Sequence, residues 1–175
     1  LSRLLMDMNQ HPLAFTVFNG DSKDGSSLCS DEIIGAQTLA MFQQLKHPSI
    51  YVLGDNEWTD CHRRSNGGYS SLERLAFLRK TFFSQNHSLG QRKIKLIRQK
   101  DYPENSYWQY GGVLFVGLNV TGSNNNKINQ ADCLQEDSAR TLEECDANMA
   151  EYVARDQANI AFLKQSFAIA KQQTN

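Results

Sequence analysis

Two short apolar runs, Phe15-Thr16-Val17-Phe18 and Ile50-Tyr51-Val52-Leu53, are each followed at once by a Gly-Asp pair, Gly20-Asp21 and Gly54-Asp55. Runs rich in β-branched and aromatic residues, without alternation, predict strands buried on both faces, the habit of a parallel sheet. The stretch between them has helical pattern, so strand, helix and strand form a crossover unit, which is right-handed as a rule. Both aspartates then fall at C-terminal strand ends, the edge at which open α/β sheets bind ligands. Asp21 and Asp55 are expected to face one another across a single site.

The remaining pattern extends this unit into one domain over residues 1–175. Leu1, Leu4, Leu5 and Met8 make a helical stripe that ends at His11-Pro12, since proline disfavours helical geometry in the residue before it. Ser30 is a good N-cap with Asp31 and Glu32 behind it, and the helix it opens presents Ile34, Met41, Phe42 and Leu45 before Pro48. Ser70 and Glu73 read as a capping box opening a third helix with Leu72, Leu75, Ala76, Phe82 and Phe83 inward. Basic residues alternate with Ile94 and Leu96 in a half-exposed strand, which we read as a solvated face. Tyr107 to Tyr110, Gly111-Gly112 and the run 113–120 predict a β-hairpin. Residues 121–148 read as a long polar loop, and a last helix carries Ile160, Leu163, Phe167 and Ala170 on one face.

Composition excludes several classes. At 40% hydrophobic and 21% charged residues, the chain suits a globular domain with a real core. A net charge of -1 gives no electrostatic reason to expect nucleic acid or an anionic membrane as partner. No apolar run approaches the roughly 20 residues that a membrane-spanning helix needs. No signal peptide is visible, but a chain that opens at Leu1 says little about targeting.

The paired turns resemble two motifs of the calcineurin-like metallophosphoesterases. Gly20-Asp21-Ser22-Lys23-Asp24 matches the family's Gly-Asp-x-x-Asp in full. Gly54-Asp55-Asn56-Glu57 matches its Gly-Asn-His-Asp/Glu at the glycine and the acid, and differs at both middle positions. The later strand Val113 to Val120 stands where the family has an apolar strand ending in Leu-Asp-Ser/Thr. The resemblance covers nearly the whole chain. It implies an α/β fold with a largely parallel β-sheet flanked by helices and an antiparallel hairpin, part of a four-layer αββα sandwich.

The resemblance further implies divalent metal ions (Mn, Fe, Zn or Mg) and hydrolysis of a phosphomonoester or phosphodiester by metal-bound water, with a phosphate-ester substrate as partner. Asp21 takes the bridging-ligand role and Asp55 stands at the family's asparagine ligand; a carboxylate there is a competent hard donor. Asp24 and Glu57 are expected to orient the two loops behind the ligands. Asn56 occupies the place of the family's histidine, where it can donate a hydrogen bond but cannot act as an acid near neutral pH. His62 is the nearest imidazole able to reach back; the alternative is a surface histidine beside Arg63 and Arg64. Asn119 and Asn124 are candidates to line the cleft. The first motif, Asp-x-His, and the late Gly-His-x-His are not found in the chain, so it reads as a fragment of a longer domain. A non-catalytic binding domain on the same scaffold is the alternative function.

The cysteines are Cys29, Cys61, Cys133 and Cys145, with no C-x-x-C pair. Cys29 and Cys61 follow the two aspartates by short loops, so convergence of those loops on one site brings the sulfurs together. Cys133 and Cys145 share one polar loop. Two such pairs favour an oxidising, periplasmic or secreted setting; four reduced thiols are the alternative.

Overall fold

A computed structural model describes residues 1–133 and 135–173. The chain runs α1 (Ser2–Gln10), β1 (Thr16–Asn19), a π-helical segment Asp31–Gln37 continuing into α2 (Thr38–Gln43), and β2 (Ser49–Val52). Two 3-10 turns, Thr59–His62 and Arg64–Asn66, lead to α3 (Ser71–Phe82). Then come β3 (Ile97–Gln99), β4 (Tyr102–Tyr110), β5 (Val113–Gly117), a short turn α4 (Gly122–Asn125), α5 (Gln130–Cys133) and the long α6 (Leu142–Gln173).

The fold is mixed α/β with two separate sheets. β1 and β2 pair in parallel from Thr16↔Ser49 to Asn19↔Val52, while β3, β4 and β5 form an antiparallel sheet. The expected largely parallel sheet is therefore a parallel pair beside a larger antiparallel sheet. β2 is buried along most of its length, but β1 is not buried on both faces. Val17 is 43% exposed.

Alternation along these strands sends residues to two cores. Phe18 and Tyr51 pack with Phe42, Phe82 and Phe83 from the helical segments. Ile50 and Val52 join Leu96, Trp108 and Phe115 of the other sheet. Phe15 stands edge-on to Trp108 at 5.6 Å and to Phe115 at 5.0 Å, joining the sheets. On the opposite side of β4, Tyr107 meets Phe162 of α6 at 5.9 Å. The hairpin forms as expected: Tyr110 pairs with Val113 across Gly111 and Gly112, whose positive φ values of 57° and 78° suit a two-residue primed turn.

Several local expectations fail for identifiable reasons. Ser70 precedes α3 but makes no side-chain cap bond, and the Glu73 carboxylate pairs with Arg74, at 2.5 and 2.6 Å. Residues 121–148 are not one loop, since α4, α5 and the start of α6 lie within them. The largest reversal is in α6: Ile160 and Phe167 are 49% and 69% exposed, whereas Asn148, Arg155, Asn159, Phe162 and Ser166 are buried. Their spacing is helical, so α6 turns a mostly polar stripe inward. Asn159 Nδ2 and Arg155 Nη1 both donate to the Asn119 carbonyl, at 2.9 and 2.8 Å, which gives these two members of the stripe a buried partner.

No helix among the described residues is long and apolar enough to cross a membrane. Both cysteine pairs are disulfides, with Cα separations of 5.7 Å for Cys29–Cys61 and 6.1 Å for Cys133–Cys145. Thiol titration of denatured, unreduced protein should find no free thiols. Replacing Cys29 and Cys61 together by Ala should cost about 3–4 kcal/mol in urea unfolding, the chain-entropy value for a loop of this length.

Candidate functional site

The two Gly-Asp turns meet back to back at the C-terminal ends of β1 and β2. Gly20 has φ 76°, and a Cβ placed on it would collide with the Gly54 backbone; a Cβ on Gly54 would collide with Asp21 in turn. Only glycine permits that approach. Asp21 itself is left-handed at φ 55°, a conformation that Asp tolerates better than most residues.

Glu57 holds the turns together. It is fully buried, and its Oε2 accepts from the Asp21 backbone N–H at 3.0 Å. Its Oε1 accepts from Gly54 N–H at 2.7 Å and from the Tyr51 hydroxyl at 2.9 Å. Burial raises the Glu57 pKa and the Asp21 charge adds to this, while the Gly54 N–H and Tyr51 hydroxyl oppose it. Burial and Glu57 push Tyr51 well up, so it remains a donor. Asp24 organises the first loop: its Oδ1 accepts from Ser26 N–H, Ser27 N–H and Ser26 Oγ, and its Oδ2 from Ser27 Oγ. Those bonds hold its carboxyl well below the usual range.

Asp21 and Asp55 line one open cleft of about 450 Å³ with Asn19, Gly54, Val120 and Gly122. Burial raises the Asp21 pKa, and the neighbouring Asp55 charge raises it further. Asp55 is pressed from the other side by α4. Gly122 abuts its carboxylate, and Ser123 Oγ lies 3.0 Å from Asp55 Oδ2 and 2.6 Å from Asp60 Oδ1. A hydroxyl has one hydrogen, so it can donate to only one of them. The other carboxylate oxygen faces an oxygen lone pair, and Asp60 is also paired through its Oδ2 with Arg63 at 2.8 Å.

α4 is itself unusual. Ser123, Asn124, Asn125 and Asn126 all have positive φ, from 49° to 63°. Arg155 braces this left-handed stretch: Nη1 donates to Asn125 Oδ1 at 2.7 Å and Nη2 to the Asn125 carbonyl at 2.8 Å. It is fully buried, pairs with Glu151 at 2.5 Å, and lies 5.3 Å from the Trp58 ring in the loop after Glu57.

The other expected residues fall elsewhere. Asn56 does not line the cleft; its Nδ2 donates to the Lys23 carbonyl at 3.3 Å, and the Cys29 and Cys61 sulfurs lie 3.5 and 3.6 Å from its own carbonyl oxygen. His62 is neither a surface histidine nor in the cleft. It is 8% exposed, contacts Ser138 Oγ at 3.2 Å, and lines a neighbouring pocket that also contains Asn124. Burial first, then Arg140 and Arg63, lower its pKa to about 4. Asn119 is a buried framework residue whose N–H donates to Asn105 Oδ1 at 2.7 Å. Sequence reasoning missed Gly122, Ser123, Asp60 and Arg155. Only the Asn-rich run marked their neighbourhood, and Glu151-Arg155 at i,i+4 looks like an ordinary exposed pair.

No group of three or more His, Cys, Asp or Glu placed to hold a metal occurs among the described residues. No protein family, curated protein or solved structure compared with this chain matches it.

Two outcomes follow from this geometry. Glu57→Ala strands the buried Tyr51 hydroxyl and the part-buried Asp21 and Gly54 N–H groups and should cost about 3 kcal/mol in urea unfolding. Asp21→Asn should act oppositely. The folded state raises the Asp21 pKa, so its ionised form costs stability above the ordinary carboxylate range and nothing below it. Without divalent ions, Asp21→Asn should therefore raise Tm at pH 7 by about 1–3 °C, since exposed charge pairs are weak. The gain should vanish as pH falls below the unfolded carboxylate pKa.

Proposed function

We propose that this chain carries the metal-binding half of a divalent-metal-dependent phosphoesterase site, acting on a phosphomonoester or phosphodiester. The observation that carries the reading is the pair of Gly-Asp turns at adjacent parallel strand ends, with Asp21 and Asp55 on one cleft. The site's own electrostatics fit a cation. Burial, and then the Asp55 charge, raise the Asp21 pKa, and the one hydrogen of Ser123 is shared between Asp55 and Asp60, of which Asp60 is already paired with Arg63. Asp21 and Asp55 are the residues to hold such an ion. When bound, a divalent cation polarises phosphoryl oxygens and acidifies a water. The chain contributes the rest: Glu57 fixes both ligand turns, and Ser123 orients Asp55. The order of packing also agrees with a four-layer αββα sandwich: helices on β1–β2, that pair on the antiparallel sheet, and α6 beyond. Two disulfides suit a secreted or periplasmic setting.

A non-catalytic binding domain is the second reading. It is favoured by Asn56, whose side chain is committed to the Lys23 carbonyl, so the position of the family's histidine supplies no group to the cleft.

Calorimetry with manganese followed by p-nitrophenyl phosphate assay separates the two. The phosphoesterase reading expects millimolar-range manganese binding and chelator-sensitive turnover. Asp21→Ala should abolish binding and lower turnover at least about 100-fold, while Asn56→Ala should spare binding. Binding without turnover would establish the second reading, and absence of binding would remove both metal-based accounts.

A further inference from the structure

Beside the Asp21–Asp55 cleft lies a second pocket, of about 270 Å³, whose lining includes His62, Arg63, Ser123, Asn126, Lys127 and Arg140. Among the described residues, three cations and one carboxylate, Asp60, line it. Arg63 pairs with Asp60 at 2.8 Å, which fixes both side chains at the rim. Arg140 Nη2 is positioned by the Thr59 carbonyl at 3.0 Å and Ser71 Oγ at 3.2 Å. Lys127 is exposed and its ammonium lies 5.9 Å from the Tyr152 ring. The cations come from three separate segments, the 3-10 turns, the α4 exit and the stretch before α6. All three line this one pocket. His62, held against Ser138, adds a neutral imidazole at physiological pH.

Ser123 belongs to both places, lining this pocket while touching Asp55 in the cleft. Gly122, the residue before it, lines the cleft. The two cavities are thus separated by one residue's width, with carboxylates on one side and cations on the other. We propose that this cationic pocket binds a phosphate group, and that with the adjoining cleft it selects substrates carrying a second phosphate close to the scissile one. The selection rests on the phosphoesterase reading of the cleft; phosphate binding in the pocket does not.

The chemistry favours a tetrahedral dianion. Guanidinium and ammonium groups approaching from several directions match its oxygens, and Arg in particular offers paired donors. The cleft alone, lined by Asp21 and Asp55 without a cation, repels phosphate, so phosphate binding without metal reports on the pocket.

The test is titration of the full chain with inorganic phosphate in the presence of a chelator, followed by calorimetry and by the imidazole resonances in NMR. Saturable binding is expected, with movement of the His62 resonance (assigned by its loss in His62→Gln) and none at His11. Lys127→Gln and Arg140→Gln should each weaken binding about tenfold, as expected for loss of one charge-assisted contact. Lys127 is a surface residue, so its variant should keep the parent Tm, which separates binding from folding. With manganese added, methylenediphosphonate should bind at least tenfold more tightly than phosphate, and no more tightly in chelator. Absence of saturable phosphate binding, or binding undiminished in both variants, would overturn the pocket. Equal affinity for the two ligands with manganese would overturn substrate selection. Phosphate binding without manganese-dependent turnover would support the pocket and sink the phosphoesterase reading instead.

Discussion

Everything at the C-terminal edge of the parallel pair depends on one buried carboxylate. Glu57 accepts from the backbone of both Gly-Asp turns and from Tyr51, and so converts two independent loop ends into one rigid element. Such a group is costly to bury unless its acceptor capacity is filled, and here three donors fill it. The close approach of Gly20 and Gly54 brings those donors within reach of a single side chain. The Cys29–Cys61 disulfide closes the same two loops farther along, with both sulfurs against the Asn56 carbonyl. The two Gly-Asp turns are therefore fixed by the fold itself, with Asp21 and Asp55 held side by side on one cleft.

A second buried charge does the same for the opposite wall. Left-handed backbone at four successive non-glycine residues is unfavourable, more so for Ser123 than for the asparagines. Arg155 compensates by donating to Asn119 and Asn125 carbonyls and to the Asn125 side chain, with Glu151 balancing its charge. Its guanidinium also covers Trp58, so the wall made by α4 and the loop after Glu57 are registered through one side chain. The inward polar stripe of α6 follows from this: the helix is held by what it donates and accepts more than by apolar area. That is why Ile160 and Phe167 lie outside.

The sequence was informative where local chemistry and tertiary role coincide. A strand that stops at Gly-Asp, a Gly-Gly turn between β runs and cysteines trailing each site loop announce themselves, and β1, β2, the hairpin and both disulfides were legible. Periodicity misled where burial serves hydrogen bonding. Nothing in the pattern of α6 distinguishes Arg155 and Asn159 facing backbone carbonyls from the same residues facing water. The same applies to His62, whose surroundings of Arg63 and Arg64 suggest a surface position. Its burial is decided by Ser138 and Arg140, more than 70 residues away in sequence. Asp60 and Ser123 could not be paired from sequence, because their contact spans 63 residues and passes through a turn of unusual handedness.

The arrangement of charge across Ser123 explains why the site tolerates its own composition. Asp21 and Asp55 repel each other at one side, while Arg63, Lys127 and Arg140 crowd the other, yet the chain as a whole is close to neutral at -1. The Asp60–Arg63 pair stands at the boundary, with Asp60 Oδ1 2.6 Å from Ser123 Oγ and Arg63 among the cations lining the pocket. This places a fixed dipole across the wall instead of a uniform field, so each cavity lowers the electrostatic strain of the other only weakly through solvent. On the reading proposed above, a divalent ion on the aspartates and linked oxyanions reaching past Ser123 would meet the charges of both cavities in this order, whereas a lone anion or a lone cation would meet those of one.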